Sequence, residues 1–166
     1  MANELNITRS IELSMQYLKC NSKEIVLKVE QEQAIRALLL GNDVLAVLPT
    51  GFGKSIIFTV FALAKPFQLN EKSAPISVLV VAPLQSLIED QIRAMWDIQC
   101  TAIQLSPSTM ENILEDPPQF VFATAEQVLE KRFLKTLKDN TSRLHCRVSA
   151  VIVDESHTIE TWSGKR

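Results

Sequence analysis

Leu48-Pro49-Thr50-Gly51-Phe52-Gly53-Lys54-Ser55 is the stretch from which the rest of the chain is read. Gly51 and Gly53 permit backbone angles that a side chain forbids, so successive N–H groups can turn inward around an anion. Lys54 adds a fixed positive charge, and Ser55 brings a hydroxyl where the pattern GxxxxGK[ST] places a magnesium ligand. A helix opening at Ser55 aims its positive dipole end at the same anion. Before the loop, Asp43 to Leu48 is a short apolar run of strand type; after it, Ser55 to Ala64 is long enough for a buried helix. The stretch therefore reads as a phosphate loop for a nucleoside triphosphate. It departs from the strict pattern at Leu48, where glycine is usual, and a glycine-rich turn without a ligand is the plainer alternative.

The chain has 166 residues, 46% of them hydrophobic, which suffices for one globular domain with a core and leaves little room for two. Seventeen basic against nineteen acidic residues give a net charge of −2, so no overall basic field attracts nucleic acid and any such contact must be local. Cys20, Cys100 and Cys146 are odd in number and widely spaced, as expected of reduced thiols packed in an intracellular protein. His145-Cys146 could form half of a zinc site, but no second pair of ligands stands at zinc spacing. The N-terminus lacks a basic start followed by an apolar run, and no apolar stretch approaches the roughly 20 residues that span a bilayer. A soluble, unprocessed protein with no membrane partner is expected.

The remaining sequence alternates between helix and strand patterns. Ile7, Ile11, Met15 and Leu18 share one helical face, with Thr8 or Ser10 as candidate caps and Asn21 as the end. Glu30 to Leu40 reads as a second helix closed by Gly41-Asn42. Ile76 to Ala82 is an almost unbroken β-branched run, the mark of a parallel strand covered on both faces, and Pro83 stops it. Ser86 to Asp97 follows as helix, Thr101 to Leu105 as a short strand, Phe120 to Thr124 as another, and Ala125 to Lys138 as helix. Gln68 to Pro75 and Ser106 to Gln119 read as flexible connections. Val148 to Val153 forms the last strand and runs into Asp154-Glu155-Ser156-His157. This alternation predicts an α/β fold with a mostly parallel sheet flanked by helices, whose ligands bind at the carboxyl ends of strands. Both the loop at 48–55 and Asp154-Glu155 fall at such ends.

An apolar strand followed by two acids is the Walker B arrangement, in which a hard carboxylate meets Mg²⁺. Asp154 takes that place, and Glu155, one residue on, could polarise a water as general base. An acidic helix cap after a buried strand is the plainer alternative.

These blocks together resemble a RecQ-type superfamily 2 DNA helicase. Asp-Glu-Ser-His is similar to that superfamily's Asp-Glu-x-His box. Leu48 to Ser55 resembles the RecQ motif I, which also opens on a bulky residue. Val80 to Gln91 resembles motif Ia, Thr124-Ala125-Glu126 stands in the place of motif Ib, and Leu27 to Gln31 with Ala34-Ile35 resembles the adenine-recognition segment upstream of motif I. In this order the blocks cover nearly the whole chain.

The resemblance implies a P-loop ATPase domain of RecA-like fold, using ATP and Mg²⁺ and acting on single-stranded or forked DNA. Gln31 would pair with the adenine edge; Lys28 stands where the family usually has arginine, and an ammonium does not stack on a base as a guanidinium does. Thr50, Gly51, Gly53, Lys54 and Ser55 would hold phosphates and metal. Asp154 would meet the magnesium, Glu155 would activate water, and His157 would link the nucleotide to the DNA side. Pro83, Ser86, Gln91 and Thr124 would line the single strand. Trp162 matches the tryptophan opening the family's aromatic-rich loop, while Glu160-Thr161 and Ser163 to Arg166 depart from its usual run.

As a unit, residues 1–166 would be a first RecA-like domain, incomplete at its C-terminus, with 1–24 as a helical lead-in. The second RecA-like domain, with its arginine finger, would be a necessary partner. In the family's sheet the strand after motif II lies between the P-loop strand and the Walker B strand. Val44 to Leu48 and Val148 to Val153 would then flank an unfilled slot, and the isolated chain would be aggregation-prone. A DEAD-box-like RNA helicase and a non-catalytic nucleotide-binding interaction module are the alternatives; Asp-Glu-Ser-His and Pro-Leu-Gln-Ser-Leu weigh against the first, intact Lys54, Asp154 and Glu155 against the second. The family's setting is intracellular, and nuclear in a eukaryote.

Overall fold

The computed structural model describes residues 2–21, 25–69 and 76–154, and the chain divides into two compact units, Met1–Pro75 and Ile76–Arg166. In the first unit, helices α1 (Ala2–Asn21) and α2 (Val29–Leu39) both pack on α3 (Ser55–Gln68). Every residue of α3 from Ile57 to Ala64 is buried, because this segment is apolar on all sides and can only lie inside other helices. Gln68 ties the three ends: its amide donates to the Leu39 carbonyl at 2.9 Å, and its own carbonyl accepts from Asn6 Nδ2 at 2.9 Å.

α1 starts well before the expected caps. Thr8 and Ser10 lie inside it, their hydroxyls donating to the carbonyls of Glu4 and Asn6 at 3.0 and 2.8 Å. Back-bonding of this kind lets Ser10 and Ser14 sit buried beside Ile7, Ile11 and Leu18 without an unpaired hydroxyl.

Residues 43–48 form no strand, contrary to the sequence reading. Leu45 and Val47 are 80% and 86% exposed. A strand exists by its ladder, and among the described residues this segment has no ladder partner; β-branched composition alone does not supply one.

The second unit is a four-stranded, all-parallel sheet of order β2-β3-β1-β4, formed by β1 (Ser77–Val81), β2 (Ala102–Gln104), β3 (Phe120–Ala123) and β4 (Val148–Val153). Central β1 and β3 pair from Val78↔Phe120 to Val81↔Ala123 and are buried throughout. Their continuous apolar runs suit a sheet covered on both faces. One face carries Leu79, Val81, Val121 and Ala123 against Ile113, Phe133 and Leu144. β4 is an edge strand among the described residues, and Val151 and Val153 are 53% and 39% exposed.

Helix α4 (Gln85–Asp97) follows β1 and buries Ile88, Ile92 and Met95. The connection expected to be flexible contains α5 (Met110–Glu115), whose Ile113 is fully buried. Its start is organised by Thr109, which donates to the Gln104 carbonyl at 2.6 Å and accepts from the Ser106 N–H at 2.9 Å. Residues 70–75 lie outside the described residues. The expected helix from Ala125 to Lys138 is broken into α6 (Ala125–Val128) and α7 (Lys131–Lys138), because the Glu130 carboxylate accepts from the Arg132 and Phe133 N–H groups and so opens a new helix. α8 (Arg143–Arg147), capped by Ser142, had no counterpart in the sequence reading.

Candidate functional site

The loop before α3 turns sharply through two glycines. Gly51 and Gly53 have φ of 76° and 84°, in the left-handed region. A turn closes from the Phe52 N–H to the Pro49 carbonyl at 3.2 Å, and α3 then begins with Ile56 and Ile57 donating back to Gly53 and Lys54 at 3.2 and 3.1 Å. Lys54 reaches across the loop, Nζ donating to the Leu48 carbonyl at 3.4 Å. Thr50 is exposed, and Lys54 and Ser55 are half-buried at the start of α3.

Two residues of the upstream segment hold this loop. Gln31 is only 4% exposed, and its amide is engaged at both ends. Oε1 accepts from the Lys28 N–H at 2.8 Å, while Nε2 donates to the carbonyls of Phe52 at 2.8 Å and Gly53 at 3.1 Å. The positive φ of Gly53 disfavours a side chain there, and a Cβ would also crowd that same Nε2 at 3.0 Å. Lys28 places its ammonium 3.7 Å from the Phe52 ring centroid, a cation–π contact, with a long 3.4 Å hydrogen bond to the Phe52 carbonyl. Phe52 is thus the residue through which both hold the loop. The sequence reading passed it over, although an aromatic between two loop glycines was the available signal.

In the second unit the chemistry collects at the carboxyl ends of the parallel strands. Asp154 continues the β4 ladder, its N–H donating to the Val81 carbonyl at 2.9 Å, and Ala82 does the same toward Ala123 at 2.9 Å. The ends of β4, β1 and β3 are thereby locked side by side, with Pro83 half-buried after β1 and Ser86 exposed in the first turn of α4. Gln91, on the second turn of α4, donates from Nε2 to Asp154 Oδ2 at 3.1 Å. Its Oε1 is buried and has no hydrogen-bond partner among the described residues.

Thr124 follows β3 and caps α6. Its hydroxyl accepts from the Gln127 N–H at 3.4 Å, and its own N–H donates to Gln127 Oε1 at 2.8 Å, a reciprocal capping box legible as Thr-x-x-Gln. Glu126 beside it is held below the usual carboxylate range by its own backbone N–H and by the Thr124 hydroxyl, so a fixed negative charge borders Thr124. Gln85 and Gln104 meet at 3.1 Å where α4 starts and β2 ends. Glu155, His157 and Trp162 lie outside the described residues. Among the described residues no helix is long and apolar enough to cross a membrane.

Comparison with known proteins identifies the family. The DEAD/DEAH box helicase family matches residues 28–166. Among curated proteins, the chain is 31% identical over 140 residues to the ATP-dependent DNA helicase Q-like 5 of Arabidopsis thaliana, covering 80% of this chain and 14% of that protein. It is 29% identical over 140 residues to the ATP-dependent DNA helicase RecQ of Pasteurella multocida, covering 80% and 20%. It is 30% identical over 142 residues to the probable ATP-dependent DNA helicase RecS of Bacillus subtilis, covering 81% and 26%. The chain thus spans about a quarter or less of the length of these relatives. The match runs from Lys28, through the glycine loop at 48–55 and past Asp154 at the end of β4, and the chain belongs to the DEAD/DEAH box helicase family.

Proposed function

We propose that residues 1–166 are the first RecA-like domain, in part, of a RecQ-type ATP-dependent DNA helicase, with 1–24 as a helical lead-in. The observation that carries this reading is the loop conformation: Gly51 and Gly53 in the left-handed region, leading directly into the N-terminus of an apolar helix at Ser55. Peptide N–H groups, the helix dipole and Lys54 then act together on a triphosphate. Relatives named as ATP-dependent DNA helicases favour DNA over RNA as the strand acted on.

Thr50, Gly51, Gly53, Lys54 and Ser55 bind the phosphates, and Gln31 and Lys28 serve the adenine side. By ligand type the Ser55 hydroxyl and the Asp154 carboxylate each suit magnesium, both being hard oxygen donors. The orphaned, buried Gln91 Oε1 beside Asp154 is an acceptor that the water of a hydrated cation would satisfy. Mg²⁺ held there would offset phosphate charge as the terminal bond breaks. Glu155 takes the proton of the attacking water, and His157 relays the nucleotide state. Pro83, Ser86, Thr124 and Trp162 are assigned to the single strand, mainly through its backbone; Gln91, which the resemblance sets with them, donates instead to Asp154. A second RecA-like domain supplies the arginine finger, which contributes about 10³ to 10⁵ in rate in well-studied cases. The setting is intracellular, and nuclear in a eukaryote.

A pair of substitutions tests this. Lys54→Ala is expected to lose most of its affinity for a fluorescent ATP analogue, while Glu155→Gln keeps it and loses turnover. Equal affinity of Lys54→Ala and the parent would remove the phosphate-loop assignment. Unwinding of forked DNA but not of an RNA duplex by the intact protein supports the DNA reading; the reverse overturns it.

A further inference from the structure

Helix α4 presents a stripe of Ile88, Ile92 and Met95 to the interior, and Gln91 lies on the same face, three residues after Ile88 and four before Met95. A glutamine in an apolar stripe needs a polar partner, and the one it has is Asp154, 63 positions away in sequence. The direction of the bond is settled by chemistry, since an ionised carboxylate only accepts and the amide must turn its NH₂ toward it. Asp154 is meanwhile fixed through its own N–H to the Val81 carbonyl. One β-strand and the helix that follows it therefore grip this residue twice, β1 at the backbone and α4 at the side chain.

We infer that Gln91 is a positioning residue for Asp154: its amide occupies Oδ2 and sets the rotamer in which the carboxylate is offered to a hydrated Mg²⁺. This deepens the nucleotide-site reading above and rests on it. It also gives α4 a task beyond lining a strand path. A group that orients a metal ligand by hydrogen bonding typically changes metal affinity about 10- to 100-fold when removed.

The test uses the intact protein and a fluorescent ATP analogue, titrated with Mg²⁺ and, separately, in EDTA. Gln91→Met keeps the length and the apolar packing of the α4 stripe but cannot donate; Gln91→Ala removes both. Both variants are expected to raise the Mg²⁺ concentration for half-maximal analogue binding at least tenfold, with affinity in EDTA unchanged. Gln91→Glu, which sets a second carboxylate against Asp154, is expected to shift it further. A Gln91→Met protein with the parent's Mg²⁺ dependence would overturn the inference, for packing would then be all that Gln91 supplies. So would a loss of single-stranded DNA affinity with the Mg²⁺ midpoint unmoved, which is the signature of a strand contact alone. Lys54→Ala runs alongside: if it binds the analogue like the parent, the nucleotide site itself is wrong, whereas its loss together with an unmoved Gln91→Met disposes only of the role assigned to Gln91.

Discussion

Gln31 offers the sharpest perturbation of the loop at 48–55, because its side chain is buried and all three of its polar contacts are internal. Gln31→Ala removes the acceptor for the Lys28 N–H and the shared donor for the Phe52 and Gly53 carbonyls. A hydrogen bond of this kind contributes about 0.5 to 1.5 kcal/mol net. Gly53 is exposed and Phe52 half-buried, so water can reach the released carbonyls and the lower part of that range applies. The three contacts together then amount to about 2 kcal/mol, or about thirtyfold in affinity if the loop must be in this conformation to bind. Loop support and adenine reading separate in the assay. Lost support weakens a fluorescent ATP analogue and its GTP counterpart equally, whereas lost adenine recognition weakens ATP alone and erases a preference that the parent must first show. Gln31→Glu sharpens the question, since it keeps the acceptor for Lys28 but turns a carboxylate on two carbonyls. It is expected to bind both nucleotides no better than Gln31→Ala. Parent-like affinity in Gln31→Glu would refute the reasoning, because the donor would then contribute nothing to the loop.

Two other outcomes follow from packing. Phe133→Ala is expected to destabilise the intact protein by about 3 to 5 kcal/mol, since the ring is fully buried among Leu79, Val121, Ile113 and Leu144; hydrogen exchange across β1 and β3 checks this, and unchanged protection there would contradict the core assignment. Burial pushes the Cys100 thiol up to about 11, so at neutral pH a thiol reagent should label exposed Cys20 and Cys146 quickly and Cys100 only on unfolding, a result readable by mass spectrometry.

The parts of the fold that were legible are those whose cause is local. β1, β3 and β4 were visible as β-branched and aromatic runs, and the loop at 48–55 was visible because two glycines, a lysine and a serine stand at fixed spacing. What escaped depends on which partner a residue takes, in most cases one distant in sequence. Residues 43–48 have strand composition but no ladder among the described residues. The break at Glu130 was hidden because a surface glutamate looks alike whether it is solvated or capping; only its bonds to Arg132 and Phe133 distinguish the two. Gln31 was read as facing a base, and its hold on Phe52 and Gly53 could not be seen from spacing. The Gln91–Asp154 pair left one trace, a glutamine interrupting an apolar helical stripe, which single-residue motif matching did not weigh.

The position of β1 sets the tempo of folding. This strand pairs with β3 through Val78↔Phe120 and with β4 through Val78↔Ala150, so both its neighbours arrive from far along the chain, and the register with β4 slips by one residue at Ser77/Val78. Parallel pairings of such separation pay loop-closure entropy before any contact rewards them, which makes them slow. During synthesis β1 leaves the ribosome first and is completed last. For that interval Val78, Leu79, Val80 and Val81, all buried once folded, are an unpaired apolar strand. The same arrangement that brings Asp154 beside the end of β1 therefore makes the acid's placement one of the final events in the assembly of this sheet.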